Sequence, residues 1–213
     1  MALLDNLIKE GWLRTPRIIK AFQKIKRVDF LPENLRDLAE LNEALPIDYG
    51  QTISQPLVVA FMLELLEPKE EEKILDIGSG SGWTSALLGE IVGEKGRVIA
   101  IEVVSELKEF GEKNVSKYNF IKKGQVQFIW ADGSKGYQKE APFDKILVSA
   151  AIQNKVPQVL KEQLKISGRI VTPIGSSIWL LVKKSALPQG LGRGEFEEIE
   201  YPGFAFVPLI TKS

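Results

Sequence analysis

From Lys73 to Thr172 the chain alternates short apolar runs with longer segments of helical character. The first run, Lys73-Ile74-Leu75-Asp76-Ile77, passes straight into Gly78-Ser79-Gly80-Ser81-Gly82. Strands separated by helices cannot pair as hairpins, so this order calls for a parallel sheet with crossover helices, right-handed and on both faces. The spacing predicts strands at Ile74 to Ile77, Arg97 to Ile101, Gln125 to Trp130, Lys145 to Val148 and Gly168 to Thr172. Helices are expected at Ser81 to Val92, Ser105 to Tyr118 and Val156 to Leu164. The fold expected is α/β, Rossmann-like and doubly wound, with a mostly parallel sheet.

The flanks read differently. Residues 2 to 45 look helical, with Leu3, Leu4, Leu7 and Ile8 at helical spacing and Thr15-Pro16 as an N-cap with proline in the first turn; no strand is expected before the glycine turn. A buried helix follows from Leu57 to Leu66, closed by Pro68, and the charges of Lys69 to Lys73 read as a solvated connector. After Pro173 the segments Ile178 to Lys183, Glu195 to Tyr201 and Phe206 to Leu209 lack intervening helices and are expected as antiparallel strands, with Ser185 to Gly194 a loop. With 213 residues, 44% of them hydrophobic, a single domain is expected over 1–213. It comprises a helical extension and substrate loop (1–55), a cofactor-binding α/β core (56–175) and C-terminal antiparallel strands (176–213).

Composition removes many chemistries. The chain has neither histidine nor cysteine, which excludes serine–histidine triads, histidine acid/base catalysis, thiolate nucleophiles, disulfides and His/Cys-ligated metals. No metal site is read. Lys and Arg number 28 against 28 Asp and Glu, so no net field draws the chain to nucleic acid or an anionic membrane. The N-terminal segment Met1 to Leu7 carries acid where an export signal would be basic, and the chain is read as cytoplasmic and monomeric.

A strand that opens through Gly78, Ser79, Gly80 and Gly82 places backbone N–H groups and a helix N-terminus at the carboxyl edge of the sheet, where α/β folds bind ligands. Trp83 stands where a dinucleotide fingerprint needs glycine or alanine, which argues against a nicotinamide cofactor. Glu102 closes the next strand, placed to accept from ribose hydroxyls, and Asp132 closes the third, placed to accept from an adenine amine while Gly133 lies against the ring. Asp76 is placed for a cationic α-amino group. Together these residues resemble the class I S-adenosylmethionine-dependent methyltransferases.

The segment Ala44 to Pro56, containing Gln51-Thr52-Ile53-Ser54-Gln55-Pro56, resembles the signature of the protein-L-isoaspartate O-methyltransferase family. Asp29-Phe30-Leu31-Pro32 and Phe206-Val207-Pro208-Leu209 match the family's flanking elements, whereas Asp48, Tyr49 and Leu57 depart from its pattern. The resemblance implies methyl transfer from S-adenosylmethionine, leaving S-adenosylhomocysteine, to the free α-carboxylate of L-isoaspartyl residues in damaged proteins and peptides. It implies Ser54 and Thr52 as orienting hydroxyls, with Ile53, Val207, Pro208 and Leu209 along the substrate. Rival readings are an O-methyltransferase for another carboxylate, a nicotinamide-binding protein and a non-catalytic cofactor-binding module.

Overall fold

The computed structural model describes residues 3–185 and 196–211. Five strands run parallel: β3 (Lys73–Ile77), β4 (Arg97–Glu102), β5 (Val126–Trp130), β6 (Phe143–Val148) and β7 (Leu164–Ile174). Two further strands complete the sheet, β8 (Ser177–Lys183) antiparallel to β7 and β9 (Phe196–Pro202) antiparallel to β8, giving the order β5-β4-β3-β6-β7-β8-β9 with β5 and β9 at the edges. The chain leaves β3 toward β4 on one side and returns through β6 on the other, so the sheet reverses its winding at the carboxyl end of β3. A crevice opens at such a switch point.

Both faces of the central strands are covered, so they read as near-continuous apolar runs. Ile74, Val98, Ala100, Leu147 and Val171 point to one layer; Leu75, Ile77, Ile99, Ile101 and Ile146 point to the other. The first layer holds α3 (Pro56–Leu66), α4 (Trp83–Val92) and α5 (Ser105–Ser116). The second is thinner than the sequence pattern predicts, holding among the described residues α6 (Gln158–Glu162) and a 3₁₀ turn at Gly133–Lys135. Pro157 fixes the start of α6, and Leu164 is recruited into β7 opposite Phe143, which ends the helix early.

The N-terminal extension corrects the expectation of continuous helix. Only α1 (Leu3–Lys9) and α2 (Pro16–Lys24) are α-helical, followed by 3₁₀ turns at Arg27–Phe30 and Glu33–Leu38. A two-stranded hairpin then precedes the glycine turn, where no strand was expected: β1 (Leu45–Pro46) pairs with β2 (Thr52–Ile53). Asp48, Tyr49 and Gly50 make its turn at φ of 74°, 53° and 67°, the left-handed backbone that tight hairpins need. Thr15 does not cap α2 through its side chain. Its hydroxyl donates to Glu64 of α3 at 2.7 Å, and the N–H groups of Arg14 and Thr15 donate to the same carboxylate at 2.8 and 2.9 Å. One buried carboxylate thus docks the extension onto the core.

Phe206 to Leu209 is not an antiparallel strand either. It forms a single parallel bridge, Pro208 to Ala151. The Ala151 N–H donates to the Val207 carbonyl and the Leu209 N–H to the Ala151 carbonyl, both at 2.8 Å, so neither bond needs the donor that proline lacks. Apart from Ser185, the expected loop at 185–194 lies outside the described residues, as does Glu195 of the expected strand.

Candidate active site

The loop at the carboxyl end of β3 is held by main chain. The N–H groups of Gly78 and Ser79 both donate to the Ile101 carbonyl, at 2.9 and 3.1 Å, and the Gly82 N–H closes onto the Ser79 carbonyl at 2.8 Å. Two backbones touch here. A Cβ on Gly82, whose φ is +84°, would lie 2.8 Å from the Gly111 carbonyl of α5, and one on Gly111 would lie 2.6 Å from the Gly80 carbonyl. Trp83, the first residue of α4, turns away from the loop and packs edge-on against Phe22 of the extension, with ring centroids 5.6 Å apart. The large side chain that breaks a dinucleotide fingerprint therefore joins the N-terminal helices to the cofactor-loop helix.

The three carboxylates sit at three strand ends in different states. Glu102 accepts from the N–H groups of Gly80 (2.9 Å), Val103 (2.8 Å) and Val104 (3.0 Å), which fixes it at the cleft wall with acceptor capacity remaining. Asp132 accepts from the N–H and hydroxyl of Ser134 at 3.0 and 2.7 Å and faces Lys135 at 3.7 Å. Asp76 is fully buried; its Oδ2 accepts from Thr84 and Ser85 at 3.0 and 2.6 Å, while its Oδ1 has no hydrogen-bond partner among the described residues. Desolvation pushes its pKa up to about 6 against the pull of the two hydroxyls. The Ser79 hydroxyl is likewise buried with no hydrogen-bond partner among the described residues. Gly133 is needed for a reason the sequence did not reveal, since a Cβ there would fall 2.3 Å from Ile77 Cγ2.

Three adjoining clefts meet above this loop. The first, about 500 Å³, is bordered by Gly78, Gly80, Ile101, Glu102, Gly133 and the strap Val207–Ile210. The second, about 310 Å³, runs along Gly78 to Ser81, Thr84 and Trp83 to Ile53 and Ser54. The third, about 720 Å³, opens beyond Ser54 between Ala44, Gln55, Val58, Phe206 and Val207. Thr52 and Ser149 border all three, and Ser54 stands between the second and third. The hairpin closes over the loop, with Ile47 Cδ1 3.3 Å from where a Gly80 Cβ would be.

The glycines, Glu102, Gly133, the Thr52–Ser54 pair and the Val207–Leu209 segment are thus brought together. Asp76 lies beneath the loop and is not part of the cleft wall. Ile53 lines the second cleft but is only 3% exposed, so it offers a ligand little surface. Asp48 points to solvent at the hairpin tip. Ser149 was missed: its only sequence signal is being small and following a strand, while its place at the junction depends on its N–H bonding the Ile77 carbonyl at 2.8 Å.

The family model for protein-L-isoaspartate(D-aspartate) O-methyltransferase matches residues 1–213. The chain belongs to that family. Members resembling it include the protein-L-isoaspartate O-methyltransferases of Methanopyrus kandleri, 41% identical over 98% of this chain and 89% of that protein, and of Thermococcus sibiricus, 41% identical over 99% and 92%. A solved protein-L-isoaspartate O-methyltransferase superposes with a TM-score of 0.82 at 27% identity, covering 97% of this chain and 64% of that one. A Plasmodium falciparum structure described as such a methyltransferase in complex with S-adenosyl-L-homocysteine shares the fold, with a TM-score of 0.85 at 21% identity over 99% and 97% of the two chains.

Proposed function

We propose that the three clefts hold, in order, the nucleoside of S-adenosylmethionine, its methionine portion and the isoaspartyl acceptor. The chain is a repair methyltransferase acting on the free α-carboxylate of L-isoaspartyl residues in damaged proteins and peptides, as its family membership states. The observation that carries the site assignment is the position of Ser54, on the boundary between the glycine-loop cleft and the outer cleft. The loop suits the cofactor: Glu102 retains acceptor capacity for ribose hydroxyls, and beneath the loop one oxygen of the buried Asp76 carboxylate, together with the Ser79 hydroxyl, lacks a hydrogen-bond partner among the described residues, leaving negative charge under the place assigned to the ligand's cationic end. Asp132 and Gly133 are assigned to the adenine side.

When bound, S-adenosylmethionine supplies an electrophilic methyl group on a sulfonium. The chain supplies placement. A carboxylate with a reference pKa of about 4 is ionised at neutrality, so no general base is required, in keeping with a chain that has no histidine. Neither the Thr52 nor the Ser54 hydroxyl has a hydrogen-bond partner among the described residues, so both can donate to one carboxylate oxygen and leave the other to attack. Holding the reacting atoms about 3 Å apart makes a bimolecular step effectively unimolecular. With Val207 and Leu209 committed to Ala151, the open edge of that strap presents the exposed Pro208 for an extended substrate backbone. The same proposal takes the protein as a cytoplasmic, single-domain monomer that uses neither nucleic acid nor membrane, supported by its formal net charge of zero.

The deciding experiment is methyl transfer measured on an isoaspartyl peptide and its aspartyl twin. Ester formation is expected on the first only; equal transfer to both, or transfer only to a small carboxylic acid, rejects the assignment.

A further inference from the structure

Arg27 is buried, and no step of the chemistry above uses it. Burying a guanidinium costs several kcal/mol unless its donors are met, so a buried arginine needs an explanation. Four main-chain carbonyls meet it: Nη1 donates to Ala39 and Leu41 at 3.2 and 2.9 Å, and Nη2 to Glu43 and Ser54 at 2.6 and 3.3 Å. Its Cζ lies over the Trp83 ring, 5.5 Å from the centroid, and its buried Nε–H has no hydrogen-bond partner among the described residues. Burial lowers its pKa to about 10, which leaves it charged at neutral pH.

These partners belong to three segments that converge on Arg27, one of which carries Ser54. Residues 39–43 form the strap entering the hairpin, Ser54 lies at the hairpin's exit, and Trp83 opens the helix of the glycine loop. Asn42 ties strap to exit a second time, its Oδ1 accepting from the Leu57 N–H at 3.0 Å and its carbonyl from the Gln55 side chain at 2.8 Å. The fork therefore references the backbone of Ser54 to the helix beside the methionine cleft. Lysine cannot substitute, because three donors on one nitrogen do not span two carbonyl pairs in a fixed plane.

We propose that Arg27 is a positioning residue for methyl transfer: by fixing the Ser54 main chain against Trp83, it sets where the Ser54 hydroxyl meets the acceptor carboxylate. The proposal rests on the reading of Ser54 as the orienting donor. A misplacement on the ångström scale is expected to lower turnover about 10- to 100-fold.

The test is a double-mutant cycle on isoaspartyl peptide, with S-adenosylhomocysteine affinity measured alongside. Arg27→Lys is expected to lower kcat about 10- to 100-fold while leaving that affinity within about twofold, and in a Ser54→Ala background to change kcat by less than about threefold. An equal loss in both backgrounds, or a parallel loss of S-adenosylhomocysteine binding, makes Arg27 a structural residue only and overturns the proposal. If Ser54→Ala alone leaves kcat unchanged, the reading of Ser54 fails and the proposal with it. Should Arg27→Lys not fold, a backbone ester replacing the Ser54–Gln55 amide weakens that one acceptor and alters no side chain. A kcat loss of about 2- to 10-fold with unchanged ligand affinity is then expected; an unchanged kcat overturns the proposal.

Discussion

Asp76 is ionised at neutral pH at a cost that its two hydroxyl donors do not cancel. Its pKa in the fold, about 6, lies above the ordinary 3.8, so between those values the folded chain binds a proton that the unfolded chain does not. The charge is therefore destabilising above pH 6, by roughly 3 kcal/mol for a shift of this size, and the cost disappears on acidification. Without ligand, Asp76→Asn is expected to melt at a higher temperature than the parent at pH 7.5, and the gap should shrink by pH 5. The parent's affinity for S-adenosylhomocysteine should fall as pH drops through 6, because only the ionised form attracts a cationic ligand end. Calorimetric titration and thermal melts at the two pH values check both. Ser54→Ala should lower kcat about 10- to 100-fold with ligand affinity unchanged, whereas Glu102→Ala should weaken ligand binding first; steady-state kinetics with calorimetry separate the two. Glycines and strand-end carboxylates were legible in the sequence because their spacing is dictated by the turn. Ser149 and the packing of Gly133 on Ile77 were not, since both arise from neighbours distant in the chain.

At the scale of elements, the close approach of α5 to the glycine loop controls the site. Adding a methyl at Gly111 meets the Gly80 carbonyl at 2.6 Å and Phe128 Cε1 at 2.9 Å, so helix or loop must move. Gly111→Ala is expected to cost about 1–3 kcal/mol, on the order of 5 °C in melting temperature, and to weaken S-adenosylhomocysteine binding with it. Glu109→Ala, on the solvent side of the same helix, should do neither. Differential scanning and ligand titration of the pair give the answer. Alternating periods located all five parallel strands, because a strand buried on both faces writes a continuous apolar run, although β7 starts at Leu164, ahead of the expected Gly168. The β1–β2 hairpin escaped because each arm is two residues long, too short for a period to register, and its turn places a tyrosine at positive φ. The strap at Val207–Leu209 was recognisable as a segment, but a single bridge leaves no mark that distinguishes it from a strand.

Over the whole molecule, the N-terminal extension and the sheet share one apolar cluster that includes Leu7, Leu13 and Phe30 together with Leu88, Val126 and Ile178. Cutting this layer from the core would expose both, so a single cooperative unfolding transition is expected, with calorimetric and van't Hoff enthalpies in agreement. Glu64→Ala strands the N–H groups of Arg14 and Thr15 and should cost about 2–5 kcal/mol, lowering that one transition without splitting it. A separate early melt of the extension would show that it is an independent unit. The edge strand β9 has a consequence of a different kind. Its sequence, Phe196-Glu197-Glu198-Ile199-Glu200-Tyr201-Pro202, forms the outer border of the sheet among the described residues; it carries three acids, two of them ion-paired with Lys184 and Lys161, and ends on a proline. An extended chain with free backbone groups can add to any open ladder of this kind. A border dressed with charged pairs and stopped by a proline resists such additions, which lets the enzyme handle extended chains without becoming the seed on which they clump.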